Sequence, residues 1–144
     1  MGIRFNSIFS TDFIARVTLM SAKNISLGKK GEKLAEKFLK KQGFSICARN
    51  YRTRCGEIDI IAREKGVLVF VEVKTRSGMG YGLPAEAITP NKQKQISKAA
   101  LEYLEKHKLF DCQARFDVVA VIDNGTDKAE VELIRNAFDL RFGY

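Results

Sequence analysis

The stretch that decides the fold runs from Gly56 to Arg76 and reads GEIDIIAREKGVLVFVEVKTR. Two runs rich in β-branched residues, Gly56 to Arg63 and Val67 to Lys74, flank Lys65-Gly66, a pair suited to a tight hairpin turn. With that turn Glu64 pairs with Val67, and counting back along the ladder sets Asp59 opposite Glu72 and Glu57 opposite Lys74. Ile58, Ile60 and Ala62 then share a face with Val69, Val71 and Val73, a wholly apolar surface that has to be buried. The opposite face carries Ile61, Leu68 and Phe70 near the turn and gathers its charges at the far end.

On neighbouring strands about 4.8 Å apart, the carboxylates of Asp59 and Glu72 can reach one Mg²⁺ with bonds of about 2.1 Å. Without a cation, like charges directly opposite each other are destabilising, so something has to compensate them. Two compensations are open at this point. Lys74, Arg63 or Arg76 can form a surface ion-pair lattice, or a divalent metal can occupy the pair.

Outward from the hairpin, Phe44 to Tyr51 reads as a preceding strand. Before it, Gly31, Leu34, Ala35 and Phe38 recur at helical spacing over Gly28 to Gln42, with Gly43 as the stop. The other face of that helix carries Lys29, Lys30, Lys33, Lys37, Lys40 and Lys41, either a solvated surface or a phosphate-facing stripe. After the hairpin, the glycines of Ser77 to Leu83 mark a loop, and Thr89-Pro90 is an N-cap followed by a residue tolerated at the first helical position. Ile96, Ala99, Ala100, Tyr103, Leu104 and His107 continue as an amphipathic helix. Arg115 to Ile122 is an apolar strand, Asp123-Asn124-Gly125 a turn, and Val131 to Ile134 a last strand. The order helix, three strands, helix, strand, strand implies an α/β fold, a mixed sheet flanked by helices.

Single residues carry further expectations. Asp117 and Arg115 fall on one strand face and are expected to ion-pair; Glu57 is expected to pair with Lys74, or to bind a second ion. His107 is expected to pack or cap, and Tyr51, Tyr81 and Phe44 to serve the core or anchor a loop. Lys92 and Gln93 open the second helix, where a helix N-terminus can meet a phosphate.

At 144 residues, with 45% hydrophobic and 29% charged residues, the chain has globular composition and room for one core. Residues 1–25 read as a loosely ordered extension, with residues 26–144 as the domain. Asp12 and Arg16 interrupt the apolar clusters of the extension, and no stretch approaches the roughly 20 apolar residues of a transmembrane helix. Lys and Arg number 25 against 17 Asp and Glu, a net charge of +8 that suits a polyanionic partner. Cys47, Cys55 and Cys112 are odd in number and widely spaced, as expected of reduced thiols in a cytoplasmic protein without a zinc site.

The run Gly56-Glu57-Ile58-Asp59 followed by Phe70-Val71-Glu72-Val73-Lys74-Thr75-Arg76 resembles the D…E-x-K signature of restriction-endonuclease-like nucleases, a group that includes archaeal Holliday-junction resolvases. More closely, the chain is similar to the YraN family of small bacterial proteins predicted to be endonucleases. The likeness extends from Gly31-Glu32 through Tyr81-Gly82 and Thr89-Pro90-Asn91-Lys92-Gln93 to Arg115-Phe116-Asp117-Val118-Val119. Ile58 stands where the usual signature has proline, a change that alters no ligand. The resemblance implies a restriction-endonuclease-like fold, with Asp59, Glu72 and the Val73 carbonyl holding Mg²⁺ or Mn²⁺. It implies that Lys74 orients or activates the attacking water, and that Glu32 is an additional catalytic or metal-linked carboxylate. Glu32 also reads as an exposed helix carboxylate among lysines.

The function expected is nucleic-acid binding with metal-dependent phosphodiester hydrolysis. DNA is favoured over RNA by the resemblance, with a branched substrate in view. Lys29, Lys30, Arg76, Lys92 and Gln93 are the candidate backbone contacts. A homodimer would suit the cutting of two strands. Two other readings stay open: a non-catalytic nucleic-acid-binding module with the same fold, and a protein-interaction adaptor that uses the apolar N-terminal segment.

Overall fold

The hairpin forms in the register that its apolar pattern sets. A computed structural model describes residues 11–77, 88–124 and 128–141, with side chains from residue 26 onward. The elements are α1 (Thr11–Lys41), β1 (Ser45–Arg52), β2 (Glu57–Glu64), β3 (Val67–Ser77), α2 (Pro90–Lys106), β4 (Ala114–Asp123) and β5 (Glu130–Phe138), the order expected from the sequence. Glu64 pairs with Val67 and Ile60 with Val71 across the Lys65-Gly66 turn, where both residues adopt positive φ. One mixed sheet results, in the order β1-β2-β3-β4-β5, antiparallel except where α2 crosses over to lay β4 parallel to β3. Among the described residues no helix is long and apolar enough to cross a membrane.

The two helices cover opposite faces of this sheet. Ala35 and Leu39 of α1 pack with Phe44, Ile60, Ala62, Val69, Val71, Val119 and Val121. Ile96, Ala99, Ala100 and Tyr103 of α2 pack with Ile61, Leu68, Phe70, Phe116 and Val118 on the other side. Burial of each large side chain stabilises the fold by about 1.5–3 kcal/mol, so the paired layers pin β3 and β4 at the centre. Strands buried on both faces become nearly continuous apolar runs. Glu72 in β3 and Asp117 in β4 are therefore conspicuous as buried acids in those runs.

Three expectations are corrected. The first helix begins at Thr11, well before Gly28, so the backbone of residues 11–25 continues α1; 1–10 lie outside the described residues. Residues 11–27 contain neither glycine nor proline, and nothing in them stops the helix from propagating backwards. Ile58 joins Ile61 and Tyr51 on the α2 side and not Ile60 and Ala62 on the α1 side. That change of face coincides with Asn50 on β1, the residue before Tyr51, the partner of Ile58; with φ 47 Asn50 interrupts the period-2 alternation. Gln93 is buried, its amide donating to the Ile88 carbonyl at 3.0 Å and accepting from Arg141 Nε at 2.6 Å, so it is committed to the protein interior and not to a phosphate.

Other readings hold. Thr89 caps α2 by accepting the Lys92 N–H, with Pro90 in the first turn. Arg115 Nε donates to Asp117 Oδ1 at 2.9 Å, and His107 stacks on Tyr103 while closing the C-terminus of α2. Tyr51 packs edge-on against Tyr103, and Phe44 is buried beneath the guanidinium groups of Arg115 and Arg135. Tyr81 and the loop after Ser77 lie outside the described residues.

Helix α1 approaches the sheet closely at Gly31, where an added Cβ would fall 1.9 Å from Thr75 Oγ1 of β3. The absent side chain lets α1 bring residue 32 down beside the sheet. Gly31→Ala should lower stability by about 1–3 kcal/mol through overpacking, read as a shift in the urea midpoint. Adding Thr75→Ala should recover part of that loss; additive effects of the two substitutions would contradict the contact.

Candidate functional site

β2 and β3 lose their backbone pairing beyond Ile60 and Val71, although β2 stays paired to β1 as far as Glu57 and β3 to β4 as far as Ser77. The sheet forks at this point. Within the fork, Asp59 Oδ2 accepts the Val73 N–H at 2.8 Å, so a carboxylate takes the place of a ladder carbonyl. Asp59 and Glu72 are the residues just beyond the last backbone pair, Ile60 with Val71.

Glu72 is buried, and its Oε2 has no hydrogen-bond partner among the described residues. Its Oε1 lies 3.7 Å from Lys92 Nζ, close enough for charge attraction but beyond a hydrogen bond. Burial and then the negative charge of Asp59 push the Glu72 carboxyl up to about 8, against the opposing pull of Lys92 and Lys74. Burial also raises Asp59, against the Val73 N–H that favours its ionised form. A buried acceptor with no donor carries a desolvation cost of about 1–3 kcal/mol or more; raised to about 8, the Glu72 carboxyl keeps a proton at neutral pH, and a cation could take that proton's place.

On the α1 side Asp59 lines a groove of about 680 Å³ bounded by Lys29, Glu32, Asn50, Arg52 and Glu57. Asn50, with its NH₂ turned to the carboxylates, donates to Glu57 Oε1 and Glu32 Oε2, each at 3.2 Å. Burial and then the charge of Asp59 raise the Glu32 carboxyl, which places Glu32 in the electrostatic field of the site. Glu57 turns toward β1, 3.5 Å from Arg52 Nε and directly opposite it, and so does not face Lys74 as expected. Pairing with Lys74 would require the ladder to continue through the fork.

The other expected residues divide. Lys74 and Arg76 follow Glu72 at alternate positions on β3, and Lys92 reaches Glu72 from the first turn of α2. Lys29 lines the groove, whereas Lys30 turns away to Asp123 at 3.7 Å. Asn50 was missed by sequence reasoning. Its signal was an asparagine inside a strand pattern, a residue that tolerates the left-handed region.

Among the described residues no three His, Cys, Asp or Glu side chains are gathered into an enclosing metal cage. Mg²⁺ ordinarily relies on one or two carboxylates, with water and substrate phosphate completing the shell. The hard oxygen donors of Asp59 and Glu72, one of them buried without a partner, fit that mode.

Residues 31–121 match the family model described as Uncharacterised protein family UPF0102. The chain belongs to UPF0102. It is 53% identical over 119 residues to a UPF0102 protein of Geotalea daltonii, covering 83% of this chain and 94% of that relative. A UPF0102 protein of Trichlorobacter lovleyi is 47% identical over 125 residues, 86% of this chain and 98% of its own. One from Geobacter sulfurreducens is 50% identical over 119 residues, 83% and 93% respectively. Membership in UPF0102 bears out the YraN-like resemblance at the level of the family, and the matched span contains Glu32, Asp59, Glu72, Lys74 and Lys92.

The raised carboxyl of Glu72 sets a sign for stability. Between its ordinary 4.5 and about 8 the folded state holds a proton that the unfolded state has released, so stability falls as pH rises through that window. Glu36 and Glu64, each lowered to about 2 by arginine partners, contribute stability that is lost only below about 4.5. In metal-free buffer the melting temperature should fall from pH 5 to pH 8. Glu72→Gln should flatten that fall and melt higher than the wild type at pH 8 by on the order of 5 °C; an unchanged slope would show that Glu72 is not the group responsible.

Proposed function

We propose that this UPF0102 protein is a divalent-metal-dependent endonuclease that hydrolyses phosphodiester bonds in nucleic acid, with DNA the favoured substrate and Mg²⁺ or Mn²⁺ the cofactor. The observation that carries the reading is the buried, donor-less Glu72 Oε2 beside Asp59 at the fork. A carboxylate so placed is costly unless a cation is its working partner. The D…E-x-K order of Asp59, Glu72 and Lys74 supports the same reading through resemblance, as does a net charge of +8.

Asp59 and Glu72 would hold the ion, with the Val73 carbonyl as the third protein donor that the resemblance implies. Held there, a divalent ion polarises the phosphoryl oxygen and lowers the pKa of the attacking water. Asp59 is fixed for this task by the Val73 N–H, which removes the freedom of its carboxylate before substrate arrives. Lys74, two residues beyond Glu72, supplies positive charge where negative charge develops on the phosphate and orients the water. Lys92 reaches Glu72 from α2, its Nζ 3.7 Å from Oε1, and screens part of its charge.

The test is cleavage of end-labelled branched, duplex and single-stranded DNA and RNA with Mg²⁺, Mn²⁺ or EDTA, with binding recorded in parallel. Asp59→Ala should abolish metal-dependent cutting while largely sparing binding, and Lys74→Ala should slow it by about 10²-fold or more. Binding without cutting under every metal condition, unchanged in both variants, would replace the nuclease with a non-catalytic binding module.

A further inference from the structure

The groove beside Asp59 does not end at the site. It shares Lys33 and Glu36 with a shallower groove that continues along the outer side of α1 past Lys37 and Lys41. Lys29, Lys33, Lys37 and Lys41 recur at four-residue intervals and all are exposed. At 1.5 Å per residue this ladder is about 18 Å long, the axial length of about five phosphates along one strand of a duplex.

Like charges at this spacing repel each other and weaken a helix, so folding alone gives no reason for the ladder. The acid within it is already engaged elsewhere: Glu36 accepts from Arg49 Nε at 2.7 Å and from Lys40 Nζ at 2.8 Å. Those two cations hold the Glu36 carboxyl down at about 2, so it offers Lys33 and Lys37 no vacant counter-charge. Lys33, Lys37 and Lys41 have no ion pair among the described residues. Among the described side chains of α1, Lys30 and Lys40 differ in this respect, since Lys30 is drawn to Asp123 and Lys40 to Glu36. The opposite helix offers no equivalent, because Glu102 and Glu105 break up the lysines of α2.

We propose that the Lys29–Lys33–Lys37–Lys41 ladder of α1 is the track on which one phosphodiester strand lies as it leads to Asp59. The inference rests on the nucleic-acid reading above and adds to it a side of approach: substrate enters over α1 and β1, on the face of the sheet opposite α2. Four cations in line, beginning at the groove that Asp59 lines, match a polyanion of regular charge spacing. They contact phosphates and not base edges, so the track is indifferent to sequence.

The test compares two triple variants of equal charge change, Lys33→Ala/Lys37→Ala/Lys41→Ala on α1 and Lys94→Ala/Lys98→Ala/Lys106→Ala on α2. Alanine favours the helix in both, and on α1 it also removes the repulsion along the ladder, so folding should be preserved. Affinity for a fluorescent DNA duplex is measured in EDTA across a salt series. The α1 triple should lower the slope of log affinity against log salt by about 2.7 and weaken binding on the order of 100-fold at 0.1 M salt, with the α2 triple close to wild type. Wild-type binding with equal slopes in both triples would overturn the track and leave nucleic-acid binding standing. No binding by the wild type would overturn both. Vesicles of three parts phosphatidylcholine to one part phosphatidylserine provide a second anionic surface. An α1 triple that loses the vesicles but keeps the duplex would overturn the assignment to nucleic acid.

Discussion

The hydrogen bond from the Val73 N–H to Asp59 Oδ2 is the interaction on which the arrangement turns. In an uninterrupted sheet a buried N–H is met by a carbonyl of the neighbouring strand. Here an acidic side chain meets it, and β2 and β3 part company while each keeps its other neighbour. The fork gives Asp59 a fixed position at the edge of the α1 groove. It also allows one carboxylate to touch the α1 groove while the other is addressed from α2. The packed layers hold this opening in place, since both faces of β3 are buried up to the fork.

The two acidic centres of the sheet make an instructive contrast. Toward the hairpin turn, Glu64 is met by Arg115 and by Arg135 at 2.8 Å, and fully buried Asp117 accepts from Arg115 Nε and the Asn136 N–H. That cluster is satisfied from within, and its arginines hold Glu64 down at about 2. At the fork Glu72 is pushed up to about 8, with one oxygen buried and unmet. The same residue type in one sheet is thus moved in opposite directions: guanidinium donors pull Glu64 down, whereas burial and the neighbouring charge of Asp59 push Glu72 up against the weaker pull of Lys92 and Lys74. A self-sufficient ion cluster serves packing. An acidic pair left unmet is the kind of centre that a ligand completes.

Much of this was legible in the chain. The register of the hairpin followed from Lys65-Gly66, whose tight turn sets Glu64 opposite Val67 and brings Ile60, Ala62, Val69 and Val71 to one face. The Arg115–Asp117 pair followed from two charges on one strand face. What escaped was the break in the pattern. Period-2 alternation carries no mark of where a ladder ends, so the face change of Ile58, the left-handed Asn50 and the turning of Glu57 toward Arg52 required the three-dimensional pairing. Gln93 escaped for a similar reason: its partners, the Ile88 carbonyl and Arg141, include a residue far along the chain that local spacing cannot reveal.

If the fork is a cation site, its glutamate gives up a proton when the ion binds. The most direct measurement is calorimetric titration of Mn²⁺ into the metal-free protein at pH 7, in buffers of different ionisation enthalpy, with Glu72→Gln in parallel. Saturable binding is expected with release of up to about one proton per ion, and loss of both the proton release and most of the affinity in the variant. Binding that is equal in the variant and releases no proton would contradict it, as would the absence of binding by the wild type.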